Sequence, residues 1–215
     1  LLQDYGFSGR IRQMNDRSQN QGKANPVRSR AQIIGASHRL FLMQGFHGTT
    51  MRQIAKESGM ALGSLYNHFT DKEALFSAVF EAYNPYPTLL LTLENSQGEN
   101  AAALARTAAR RLVNALSARP DLVKLVFIDV VEFHGEHLRQ AYPAVAPGML
   151  NFVRRLRKDP SALQPLSDDA LLRAFFGLFY TFHMNEMLLG KPTDEESQSA
   201  VLQELIEIYL DGILA

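Results

Sequence analysis

From residue 26 onward, apolar positions recur at helical spacing, and no stretch shows the two-residue alternation of a strand. Ile33, Ile34, Ser37, Leu40 and Phe41 form one face of a helix that begins at Pro26, where a missing N–H costs nothing, and stops at Gly45. A second, short helix, capped by Thr49 or Thr50, turns Ile54, Ala55 and Ser58 inward. Gly59 supplies a tight turn, Met60 plugs into the core, and Leu65 with Phe69 anchor a short third helix. Thr70 or Asp71 caps a fourth helix, which buries Leu75, Phe76 and Val79 and ends at Pro85 and Pro87. Further helices are expected near 101–118, 121–137, 145–158, 168–189 and 195–213, with breaks at Pro120, Pro143–Pro147, Pro160–Pro165 and Gly190 with Pro192. The expected fold is all-α with about nine helices. A mobile polar tail (1–25) precedes a small helical head (26–84) and a larger helical body (85–215).

Composition narrows the function. The chain of 215 residues is 46% hydrophobic, with 13 Phe and no Trp, enough for a sizeable core. The absence of Cys excludes disulfides, thiolate metal sites and cysteine nucleophiles. No apolar run nears the ~20 residues of a membrane span, and 1–25 lacks the apolar centre of a secretory signal. A cytoplasmic protein without membrane contact is expected. The formal net charge is +0, but its distribution is uneven. Residues 1–84 hold 10 Lys/Arg against 6 Asp/Glu, and residues 85–215 hold 12 against 16. A basic head on an acidic body suits a protein whose head alone meets phosphate. Arg10, Arg12, Arg17 and Lys23 would let the tail act as a DNA arm, or simply be solvated.

The stretch Thr49 to Leu75 has the form of a helix-turn-helix, whose second helix enters the DNA major groove. Ala55 lets the two helices approach closely. Gly63 permits close approach of backbone to DNA, Ser64 can donate to base edges or phosphate, and Leu62 can touch a thymine methyl. Tyr66, His68 and Lys72 are candidate phosphate contacts, and Thr50 and Arg52 can hold the backbone across the groove. Taken singly, Tyr66 could edge the core, His68 could be an ordinary surface residue, and Lys72 could be a solvated helix start. Their joint spacing carries the argument.

The run GFHGTTMRQIAKESGMALGSLYNHFTDKEAL resembles the amino-terminal domain of the TetR family of bacterial transcriptional regulators. The matching features are Gly45–Phe46, Thr49–Thr50, Ile54–Ala55, Gly59, Gly63–Ser64–Leu65–Tyr66, His68–Phe69 and Lys72–Glu73–Ala74–Leu75, within a segment spanning roughly 27–76. The resemblance implies a homodimer on a palindromic operator, usually a repressor released by a small molecule. It implies phosphate contacts from Thr50, Tyr66, His68 and Lys72, with Ser64 and Asn67 facing the groove. The chain departs from the family at Ala61, where Ser often caps the recognition helix, a loss of typically ~1 kcal/mol. It departs again at the apolar Leu62, where a polar or basic residue is common.

In the body, the last two helices carry more apolar surface than one stripe needs. Leu172, Phe176, Leu202, Leu205, Ile206 and Tyr209 are candidates for the dimer interface, where the resembled family pairs two such helices with their twins. Phe127, Val131, Phe133, Met149, Phe152, Phe175, Phe179 and Phe182 can line an apolar effector pocket or simply fill a core. Asp129, Glu132, His134, His137 and His183 are the candidates for a metal site. Zinc needs three or four converging ligands, a solvated face accounts for these residues as well, and neither metal nor cofactor is expected. Arg154, Arg155, Arg157 and Lys158 form a basic run at a helix C-terminus, where cations complement the dipole. No GxSxG, phosphate-binding glycine loop or HExxH is present, so an enzyme is not expected. A helical interaction module without specific DNA binding is the alternative, followed by an enzyme with its site in the helical body.

Overall fold

The computed structural model describes residues 26–158, 163–189 and 195–213. Among them are ten helices and no strand. The expected tail, with its four cations, lies outside the described residues. The head comprises α1 (Pro26–Gln44), α2 (Met51–Glu57), α3 (Leu62–Tyr66) and α4 (Lys72–Tyr83). The body comprises α5 (Tyr86–Glu94), α6 (Ala101–Ser117), α7 (Pro120–Phe133), α8 (Glu136–Leu156), α9 (Asp168–Leu189) and α10 (Glu195–Ile213). None of these helices is long and apolar enough to cross a membrane.

Local chemistry sets the ends of the head helices. Gly45 and Gly59 adopt φ of 75° and 69°, a left-handed conformation that glycine reaches without steric cost. Thr50 caps α2 in a reciprocal box with Gln53, and the Asp71 carboxylate accepts from the Ala74 N–H at 2.7 Å to cap α4. Packed inside are Ile33, Phe41, Phe46, Ile54, Leu65, Phe69, Leu75 and Phe76. Two α7 residues complete this core. Leu125 is fully buried in it. The Phe133 ring stacks on Phe76 with centroids 4.5 Å apart and meets Phe46 at 4.8 Å.

The body differs from expectation in two places. The Pro85–Pro87 pair opens a helix, α5, rather than only closing α4: Pro85 is its cap and Pro87 lies in its first turn. Proline is tolerated there because first-turn N–H groups lack intrahelical partners. The Pro143–Pro147 segment does not break the chain either. α8 runs through both prolines, and the break falls at His134 and Gly135, both left-handed (φ 54° and 72°). Proline removes the bond to the carbonyl four residues back. Arg139 and Pro143, whose carbonyls are freed, are exposed, so water can satisfy them. The true start of α8 is fixed by Asp129, whose carboxylate accepts from the backbone N–H groups of His137 and Leu138 at 3.3 and 3.1 Å.

A second core fills the body, from Leu89 and Leu93 of α5 through Leu112 of α6, Phe152 of α8 and Phe175 of α9 to Ile206 of α10. Arg106 of α6 pairs with Glu207 of α10 through two bonds of 2.9 and 2.7 Å, which fixes the register of the last helix.

Candidate nucleic-acid interface

The helix-turn-helix is built from inside outward. Ile54, Ala55 and Leu65 are buried and lock α2 against α3, with a Met60 N–H to Ala55 carbonyl bond of 2.9 Å closing the turn. This leaves the opposite surface to Arg52, Gly63, Tyr66 and Asn67, all exposed, with Leu62, Ser64 and His68 half-buried beside them. Tyr66 keeps 49% of its surface open, large for an aromatic side chain without an outside partner.

Two predicted phosphate contacts already have internal work. Thr50 Oγ1 accepts from the Gln53 N–H at 3.3 Å and bonds Gln53 Oε1 at 2.9 Å, so its first task is to cap α2. Lys72 Nζ donates to the carbonyls of Phe46 and Thr49, at 2.7 and 2.9 Å, and sits 4.2 Å from the centre of the Phe46 ring. Its ammonium thus ties α4 to the α1–α2 loop. Partial burial lowers its pKa, against the pull of Glu132 and Glu73. One ammonium hydrogen remains for a phosphate.

Three histidines lie where the head meets α7. His38 of α1 stacks on Tyr83 with centroids 3.9 Å apart and is 3.7 Å from Asp121. Burial pushes its pKa below the ordinary 6.5, outweighing the opposing pull of Asp121. His47, from the loop after α1, meets Glu132 at 2.7 Å. His137 bonds Asp129 through Nδ1 at 2.6 Å and Ser77 of α4 through Nε2 at 2.8 Å. The carboxylates weighed for a metal are thus engaged in pairing and capping, and no metal-binding cluster occurs among the described residues. The His183 side chain lies outside the described residues.

The body candidates scatter. Phe127 lines an apolar cleft of about 150 Å³ together with Pro85, Leu89, Leu112, Leu116, Val123, Val126, Phe176 and Tyr180. Met149, Phe152, Phe175 and Phe182 are packed into the body core instead. Val131 is 68% exposed and does not line the cleft, and Phe133 belongs to the head core. The Phe179 side chain lies outside the described residues. Pro85 and Leu89 reach the cleft only because the Pro85–Pro87 pair opens α5, which helical spacing alone does not reveal. Of the interface candidates, Leu172, Leu202, Ile206 and Tyr209 are buried within the subunit, and Phe176 and Leu205 are half-buried against its core. Among the described residues of α9 and α10, the large apolar side chains left exposed are Tyr180, Val201 and Ile208. The basic run also acts internally. Arg155 donates to the carbonyls of Leu93 and Ser96 at the end of α5, and Arg157 pairs with Asp168 at 2.8 Å.

Residues 33–79 match the profile described as bacterial regulatory proteins, tetR family. The head is thus similar to the TetR family over these residues. The chain is 39% identical over 54 residues to the HTH-type transcriptional repressor AcnR of Corynebacterium efficiens, covering 25% of its own length and 29% of that relative. It is 41% identical over 59 residues to the HTH-type transcriptional regulator UidR of Escherichia coli, 27% of its own length and 29% of the relative. The sequence match to these curated relatives thus spans less than a third of their length. The likeness of the whole fold is wider. A TetR family transcription regulator from Marinobacter aquaeolei superposes with a TM-score of 0.63 at 18% identity, covering 86% of this chain and 95% of that one. NalD, the secondary repressor of the MexAB-OprM multidrug efflux pump in Pseudomonas aeruginosa, gives 0.61 at 19% identity, with 88% and 98% covered.

Proposed function

We propose that this chain is a sequence-specific transcription regulator, a repressor that grips a palindromic operator in double-stranded DNA as a homodimer. The observation that carries this reading is the α2–Gly59–α3 unit, locked by buried Ile54, Ala55 and Leu65 and turning Arg52, Ser64, Tyr66 and Asn67 outward. Arg52 and Lys72 would neutralise phosphates, while Thr50, Tyr66 and His68 would bond backbone oxygens and position the head. A single head makes few contacts. Two heads one DNA turn apart, about 34 Å, supply affinity and read a palindrome. Tyr180 on α9, with Val201 and Ile208 on α10, is left open to a twin subunit.

Release by a small apolar or amphipathic ligand is the second half of the proposal. The cleft beside Phe127 is walled almost entirely by carbon and opens between α5, α6, α7 and α9. Its wall α7 also carries Leu125 and Phe133 into the head core, so an occupant that displaces α7 moves the head.

Selection of duplexes from a random pool at physiological salt, with sedimentation of the retained complex, tests the reading. The expected result is a palindrome bound by two subunits, and affinity that falls steeply as salt rises. A folded protein that retains no sequence overturns it in favour of a helical interaction module.

A further inference from the structure

The edge of the head that would enter a groove carries no full charge. From Gly59 to Thr70 the sequence holds no Lys, Arg, Asp or Glu. Its leading residues, Ala61, Leu62 and Gly63, have no polar side-chain atom, and Ala61 makes no side-chain cap for α3. Gly63 has no internal reason to be glycine. Its φ is not positive, and a Cβ built there would meet nothing within 4 Å. Alanine would favour the helix, so the missing side chain is useful only against something outside the subunit. Asn67 is exposed one residue beyond the helix.

Base recognition gives this edge a definite meaning. Guanine presents O6 and N7 and is most often read by Arg or Lys. Adenine is read by Asn or Gln, and thymine by apolar contact with its methyl group. We propose that α3 reads A·T pairs, with Ala61 and Leu62 against thymine methyls and Asn67 on an adenine edge, the bare Gly63 backbone letting the helix sit deep. This rests on the DNA-binding reading above and names what that site selects. Arg52, on α2, is outside this edge, so any guanine it reads is separate from the bases under α3.

The test begins with selection from a random pool by the wild-type chain and by Leu62→Ala and Asn67→Ala, each checked for native helicity. Positions whose preference relaxes in either variant are those under α3, and they are expected to be A·T. In the selected duplex, uracil then replaces thymine at those positions, removing only the methyl group. Affinity is expected to fall about fourfold per methyl, or about fifteenfold for a symmetric pair. Because Leu62 is half-buried and its variant can loosen the head, the uracil duplex tests the proposal on unaltered protein. G·C at the relaxed positions, or equal affinity for uracil and thymine duplexes, overturns the inference while leaving the DNA-binding reading intact. Failure of the wild-type chain to select any sequence removes that reading, and this one with it.

Discussion

The head and the body use apolar side chains for opposite ends. In the head, the helices are fixed by a dense aromatic cluster and by side-chain caps on α2 and α4. In the body, long helices pack around a cleft, and α9 and α10 keep Tyr180, Val201 and Ile208 open to solvent. A surface that must match DNA works best preset, since ordering it on binding would subtract from affinity. The proposed effector cleft needs room to change. The difference teaches that dense packing here is local, concentrated in the head and in the two α7 residues, Leu125 and Phe133, that complete its core.

The sharpest way to break this comparison is to remove one ring from each region. Phe76 is fully buried and touches Phe41, Phe46 and Phe133 with centroids 4.5–5.7 Å away. Phe76→Ala is expected to cost about 4 kcal/mol in urea unfolding, within the range for buried Phe. Phe127, half-buried on the wall of a cleft that is already open, should cost under about 1.5 kcal/mol when truncated, because no new closed cavity forms. Equal losses would show that the body is packed as tightly as the head.

The junction comes next. Asp129 is fully buried, accepts two backbone N–H bonds at the start of α8, and holds His137, which reaches Ser77 on α4. Asp129→Ala leaves those donors without an acceptor and is expected to cost about 3 kcal/mol. Asp129→Asn, which keeps one acceptor oxygen, should cost less. Equal stability of Asp129→Ala and wild type would mean that the junction is not where head and body are joined.

Most of the head was legible in the sequence because its punctuation is chemically narrow. Gly45 and Gly59 sit where only a left-handed residue fits, and Thr50 and Asp71 have the short oxygen-bearing side chains that caps require. The body was less legible for a physical reason. In the sequence Pro85–Pro87 and Pro143–Pro147 read as stops, but a proline's effect depends on what its missing N–H would have bonded, which is set by tertiary structure. Which apolar residues of the body turn inward is likewise set by tertiary structure. α9 and α10 are apolar on more than one face, and only packing decides that Tyr209 turns inward and Ile208 outward. Lys72 illustrates the limit in the head: its place in the motif was visible, while its bonds to the Phe46 and Thr49 carbonyls were not.

A milder probe of the junction is pH. Because burial lowers the His38 pKa below 6.5, the fold favours the neutral ring. The resulting stability is fully present above pH 6.5 and is lost as pH falls through the depressed folded value. Asp121, held below its usual range chiefly by Arg119, stays charged through that window. His38→Phe keeps a ring to stack on Tyr83 but has no proton to gain. On acidification the wild-type melting temperature should therefore drop relative to that of the variant. A constant difference would show that the ring is not held neutral.

The smallest expected change separates stability from recognition at one atom. Gly63→Ala adds a Cβ that meets nothing in the free subunit, and alanine is favoured over glycine within a helix by about 0.8–1 kcal/mol. The variant should therefore melt slightly higher than wild type. Its affinity for the selected operator should fall, since the methyl group stands where the groove wall would meet the backbone. Higher stability with weaker binding is an outcome that damage to the fold does not produce. Higher stability with unchanged binding would place Gly63 away from the DNA and tilt α3 relative to the docking described here. The head would still be preset, but a different face of it would do the reading.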